Sequence, residues 1–226
     1  MRKPEAIIFD MDGTLFKTET LLIPAHDRLF QRLKEEGYYE GETPPVEIML
    51  GSLGMLLEDI WKRVLPDASD AARARADELL IEEEIAGLKG TDSELYPGVA
   101  QTLAELKKHG VKLFVASNGL EPYIEAVVDA HGLREYFDGL YSAGGHQTSS
   151  KVDLVKLLLT EHDIEYAWMV GDRSSDVEAG KKNDLKVIGC AYAGFGRDEE
   201  LKDADVLIND FDEILTMYKE TAFLTA

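Results

Sequence analysis

Cysteine is almost missing: Cys190 stands alone in 226 residues, so no internal disulfide can staple the fold, and the five histidines form no cluster with zinc-ligand spacing. Cys190 lies in the apolar run 186–191 and reads as a buried strand residue rather than a reactive thiol. Long apolar stretches are missing too. The first, residues 6–9, is too short for a signal-peptide core and is broken by Asp10, and no later run approaches a membrane span. A soluble, cytoplasmic protein is expected. Basic charge is scarce: 24 Lys and Arg stand against 44 Asp and Glu, a formal net charge of −20. That balance favours solubility and disfavours nucleic acid or an anionic membrane as partner. Acid runs such as Glu82-Glu83-Glu84 read most simply as solvated helix faces. A site for anions in such a chain depends on local cations, a metal and helix N-termini, remote charge being screened over about 8 Å at physiological salt.

What the chain does have is a core-forming composition, 45% hydrophobic, and an alternation of strand and helix patterns. Apolar runs at 6–9, 111–116, 167–170, 186–191 and 205–208 predict buried parallel strands. Helical patterns at 99–109, 152–162 and 174–183 alternate with them, the first stopped by Gly110. The fold class that follows is α/β, a doubly wound, mostly parallel sheet. Residues 17–92 differ, with helix-compatible segments at 25–37, 56–64 and 69–87 and no convincing strand. They predict an inserted α-helical domain in a catalytic core made of residues 1–16 and 93–226. The segment 48–55, apolar and punctuated by Gly51 and Gly54, fits either a bent helix contact or a loop of the insert reaching over the site.

Three predicted strands run into polar residues that a core does not require: Asp10-Met11-Asp12-Gly13-Thr14, Ser117-Asn118-Gly119, and Gly171-Asp172 followed by Asp176. In isolation Asp12 or Asp176 is most simply a helix cap or turn residue. Ligands of open parallel sheets bind outside the strand carboxyl ends, so the three clusters should converge. An acid-rich site with a hydroxyl–amide pair suits a hard cation, and Mg²⁺ is commonly held by one or two carboxylates plus substrate phosphate. Lys151, after Ser149 and Ser150 at the start of a predicted helix, adds a positive point charge where the helix terminus also favours an anion. The stretch from Gly145 to Lys151 is not a P-loop, because Ser150 occupies the glycine position before the lysine and no Ser or Thr follows it. His146 there reads as a solvated loop residue.

These motifs, in this order and spacing, resemble the haloacid dehalogenase superfamily, in the subfamily with a helical cap inserted after the first motif. The resemblance covers nearly the whole chain and implies a Mg²⁺-dependent phosphatase acting on a small phosphorylated metabolite. It implies Asp10 as the nucleophile that takes the phosphoryl group and Asp12 as general acid–base. It also implies Mg²⁺ held by Asp10, the backbone carbonyl of Asp12, Asp172 and Asp176, and phosphate bound by Thr14, Ser117, Asn118 and Lys151. Asp12 sets the chain apart from dehalogenase and phosphonatase members, which lack an aspartate there. Val152 replaces the proline many relatives carry after the lysine. Two alternatives stay open: a phosphosugar mutase of the same subfamily and a non-catalytic binding protein. Mutase members carry a histidine twelve residues after the nucleophile, where this chain has Leu22, with His26 the nearest histidine. A monomer or weak dimer is expected.

Overall fold

The structure, a computed structural model, describes residues 2–90, 93–193 and 198–223. In chain order the described elements are β1 (Ala6–Phe9), α1 (Thr18–Glu35), α2 (Val46–Leu50), α3 (Leu57–Val64), α4 (Asp70–Leu88), α5 (Val99–Lys108), β2 (Lys112–Ser117), α6 (Glu121–Ala130), β3 (Gly139–Ser142), α7 (Lys151–Glu161), β4 (Ala167–Gly171), α8 (Ser174–Lys182), β5 (Lys186–Cys190), β6 (Val206–Ile208) and α9 (Glu213–Phe223).

The strands form a parallel sheet ordered β3-β2-β1-β4-β5-β6. All four residues of β1 are fully buried, as are the five of β4, because helices cover both faces and leave no side of these strands for polar residues. Ile7, Phe9, Trp168 and Val170 point into the layer under α5, α6 and α9, and Ile8, Phe114 and Met169 into the layer under α7. The chain lays β2 and β3 on one side of β1 and then returns to place β4 on the other. That reversal opens a crevice at the carboxyl ends of β1, β2 and β4.

The expected α/β class is therefore present, with strand ends shifted by a residue or so from those predicted. One strand, β3, was not predicted. Cys190 is buried in β5, as its apolar run implies.

Between β1 and α5 the described chain is helical and carries its own apolar core, built on Leu29, Phe30, Leu33, Trp61, Val64 and Leu79. Helix α1 starts at Thr18, seven residues before the predicted segment, and passes through Pro24. The expected end of the insert, residue 92, lies outside the described residues. Arg28 and Arg32 of α1 both pair with Glu83 of α4, at 2.7 and 2.9 Å, and Arg32 also reaches Glu82 at 2.8 Å. The acid run is therefore not uniformly solvated: Glu83 and Glu84 are each only 8% exposed. Successive helical residues point about 100° apart, so three consecutive acids cannot share one face. No described helix is long and apolar enough to cross a membrane.

Candidate active site

Strand β1 delivers Asp10 to the crevice, where its backbone N–H donates to the Val170 carbonyl at 2.9 Å as a last rung of the β1–β4 ladder. The turn that follows depends on Gly13. Its φ is +78°, and an added Cβ would lie 2.5 Å from an Asp172 carboxylate oxygen, so glycine supplies both the left-handed backbone and the close approach. Thr14, fully buried, then donates from its hydroxyl to Asp172 Oδ1 at 3.3 Å. The structure thus sets the Thr14 hydroxyl on a carboxylate of the cluster.

Asp10, Asp172 and Asp176 come together with one carboxylate oxygen from each within 4.8 Å of the others, all three buried. Lys151, the first residue of α7 after the Ser150 cap, sends its ammonium between them, donating to Asp10 Oδ1 at 2.7 Å and to Asp176 Oδ1 at 2.6 Å. Asp176 Oδ2 accepts the Arg173 backbone N–H at 3.0 Å at the start of α8. Lys151, with the Arg173 guanidinium that is 3.4 Å from Asp172 and shared with Glu200, leaves the three carboxylates incompletely neutralised. Burial, then Asp10, pushes Asp176 up to about 6, and Lys151 offsets only part of this. Burial, then Asp10 and Asp176, holds Asp172 well above the usual carboxylate range. Burial would depress Lys151, but Asp10 and Asp176 outweigh it and hold the ammonium above its ordinary value. Asp172 Oδ2 is buried with no hydrogen-bond partner, the Arg173 guanidinium lying 3.4 Å away as an ion pair. Three buried carboxylates with an oxygen from each within reach of one point fit a hard divalent cation, and this donor set can hold a metal.

Asp12 stands apart from that triad. Its Oδ1 accepts from Thr18 at 2.7 Å and Tyr123 at 2.6 Å, so among the described residues its carboxylate is not part of the metal-competent group. Any metal contact from Asp12 is left to its backbone carbonyl. Burial raises its pKa, and the hydrogen bonds from Tyr123 and Thr18 counter the rise in part. Tyr123, on α6, was not among the residues picked from the sequence, since an aromatic residue on an amphipathic helix reads as core.

Ser117 and Asn118 end β2 on the same crevice. Ser117 Oγ accepts the Gly119 N–H at 3.0 Å, which turns the chain back over the site. The Asn118 side chain donates to the Gly54 carbonyl of the helical insert at 2.8 Å, so the segment 48–55 does reach over the site. Gly54 has φ +87°, and a Cβ there would approach Arg173 Cγ to 3.0 Å. Leu53, Gly54 and Met55 line a cavity of about 70 Å³ together with Asp10, Asp12, Ser117 and Asn118. Ligand-sized pockets run from about 300 Å³ upward, so this cavity is a small one. His146 packs on Tyr141 outside that lining.

The profile of the haloacid dehalogenase-like hydrolases matches residues 4–184. Protein CbbY of Cereibacter sphaeroides is 31% identical over 93% of this chain and 94% of its own. The phosphoglycolate phosphatase of Aquifex aeolicus is 30% identical over 80% and 81%. Among solved structures, CbbY from Rhodobacter sphaeroides in complex with xylulose-1,5-bisphosphate superposes with a TM-score of 0.77 at 29% identity, covering 93% of this chain and 96% of that one.

Proposed function

The chain belongs to the haloacid dehalogenase-like hydrolases and is a phosphatase of that family, and we propose that it is Mg²⁺-dependent and works through a phosphoryl group carried on Asp10. The observation that carries this reading is the division of labour among the acids. Asp10, Asp172 and Asp176 share one buried cluster with Lys151, while Asp12, two residues from Asp10, is held out of it by Thr18 and Tyr123. A cation in the cluster supplies positive charge against the transferring phosphoryl oxygens and favours the ionised forms of its acids.

This chain's own groups then perform two displacements. A carboxylate oxygen of Asp10 attacks phosphorus; the new oxygen–phosphorus bond forms as the bond to the leaving oxygen breaks, and Asp12 gives its proton to that oxygen, releasing the alcohol. Asp12, now ionised, takes a proton from water as the water oxygen attacks the same phosphorus. Inorganic phosphate departs and Asp10 returns as carboxylate. Between steps Lys151 keeps Asp10 in line, and Ser117 with the Asn118 backbone faces the phosphoryl oxygens.

The substrate is a small phosphomonoester; phosphoglycolate and xylulose-1,5-bisphosphate, named with the relatives, are assayed beside phosphomonoesters that carry no second anionic group. Leu22 supports phosphatase over mutase. It lies in the cavity wall with no proton-transferring group to offer, and His26 is buried outside that lining. The deciding experiment is release of phosphate from a monophosphate, with no bisphosphate activator, by the wild type and by Asp10→Asn. The variant keeps the shape of the side chain and should fold normally but turn over nothing. Near-wild-type release by it would remove the covalent step.

A further inference from the structure

The cavity has an acid-bearing wall supplied by α4. Asp77, Leu80, Ile81 and Glu84 of α4 line it at the i, i+3, i+4, i+7 spacing of one helix side, with Glu84 near enough to feel the charge of Asp12. Leu22, Met49, Met55 and Ile60 make much of the remaining wall. Asp77 is engaged, accepting the Trp61 indole N–H at 2.6 Å. Glu84 is not: 8% exposed, it has no hydrogen-bond or ion-pair partner among the described residues, although its neighbour Glu83 holds two arginines. No described residue lining the cavity is basic.

A buried carboxyl without a partner costs free energy that a ligand can recover by donating a hydrogen bond to it. A carboxylate or second phosphate brought to the same place would meet two acids and no cation, and would remain desolvated and repelled. Resting on the phosphatase reading above, we infer that the substrate's leaving group is a compact, largely apolar body without an anionic group that presents a hydroxyl or ammonium hydrogen to Glu84. Glu84 is then a specificity residue of this chain. Burial first, then the charges of Asp12 and Asp77, raises its pKa well above the usual range. A hydroxyl can exchange hydrogen bonds with this carboxyl, and an amine can pair with it as an ammonium.

The test is steady-state kinetics with Mg²⁺ on alkyl phosphates of two to five carbons bearing a terminal hydroxyl, amine, carboxylate or methyl group, with an aryl phosphate as a general reporter. At the best-accepted length, kcat/KM for the hydroxyl or amine compound should exceed that for the carboxylate by about tenfold or more. Glu84→Leu should remove that preference for a donor and leave the methyl compound foremost. Glu84→Gln separates the two donors: it should abolish a preference for amine and largely keep one for hydroxyl. A carboxylate compound within tenfold of the best donor, or a donor preference unchanged in Glu84→Leu, overturns the inference while aryl phosphate hydrolysis leaves the phosphatase reading standing. Failure of the wild type to release phosphate from every compound, the aryl phosphate included, removes both.

Discussion

Lys151 holds Asp10 by a 2.7 Å hydrogen bond to Oδ1 in which neither side chain is more than 3% exposed. Because Asp176 accepts from the same ammonium, the pair is also the internal neutraliser of the acidic cluster.

Lys151→Met should accordingly damage both stability and turnover. Removing one partner of a buried ion pair leaves an uncompensated charge and costs about 3–5 kcal/mol. Urea unfolding in the presence of a chelator should show a loss of that order, and added Mg²⁺ should restore part of it by replacing the missing positive charge. Turnover should fall by a factor of about 100 or more even with Mg²⁺, since an electrostatic donor of this kind contributes about 3 kcal/mol to a transition state. An unchanged unfolding midpoint in chelator would contradict the neutralising role.

Asp12→Asn should be impaired most on substrates with poor leaving groups, because an aryl oxide departs without protonation and an alkoxide does not. The expected loss is about 100-fold or more on alkyl phosphates and smaller on aryl phosphates. Tyr123→Phe removes one of the two hydroxyls that orient Asp12, and should show the same leaving-group bias to a lesser degree. Equal losses on both substrate types would argue against Asp12 as the acid.

Chelation should abolish activity, and Mg²⁺ should restore it where Ca²⁺ does not, since Ca²⁺ takes more oxygens at longer distances. A readout independent of turnover is available in the melting temperature. Saturating Mg²⁺ should raise that of the wild type, about 2.7 kcal/mol being gained at a hundred times the dissociation constant. Asp172→Asn, which takes one charge from the cluster and weakens the bond with Thr14, should blunt the rise. An identical rise in the two proteins would remove Asp172 from the metal site.

Much of the site was legible because its chemistry sits where polar residues interrupt apolar strands. Asp10, Ser117 and Asp172 each follow a run whose burial leaves no other explanation for them, and neighbouring strands bring them together. Strand β3 was not legible: of its four residues Gly139 and Leu140 are only half-buried, so neither length nor periodicity marks it. Glu84 was hidden for another reason. Within an unbroken acid run, only the helical phase of α4 against α1 and the cavity decides which acid is solvated, which is paired and which is buried alone. The Asn118 bond to Gly54 joins segments 64 residues apart, and no local pattern announces it.

His26 offers a pH test of the helical insert. Its ring is 1% exposed, both nitrogens lack hydrogen-bond partners, and it packs at 4.8 Å against Phe30; Asp27, 3.6 Å away, is beyond hydrogen-bonding reach. Burial lowers its pKa, with Asp27 and Glu47 opposing only in part. The folded state therefore binds its proton less readily than the unfolded chain, whose histidine titrates near about 6.5. Above that pH the ring is neutral in both states and costs nothing. As pH falls through the unfolded value toward the depressed folded one, the unfolded chain gains a proton that the native ring resists, and stability drops by about 1.4 kcal/mol for each unit of depression. The raised carboxyls of the active site act in the opposite sense, so the comparison must be between two proteins. His26→Leu keeps the apolar packing and removes the titration. The difference in unfolding free energy between variant and wild type, measured by urea at pH 8 and pH 5, should move in the variant's favour at the lower pH. A difference independent of pH would show that His26 titrates alike in the folded and unfolded states.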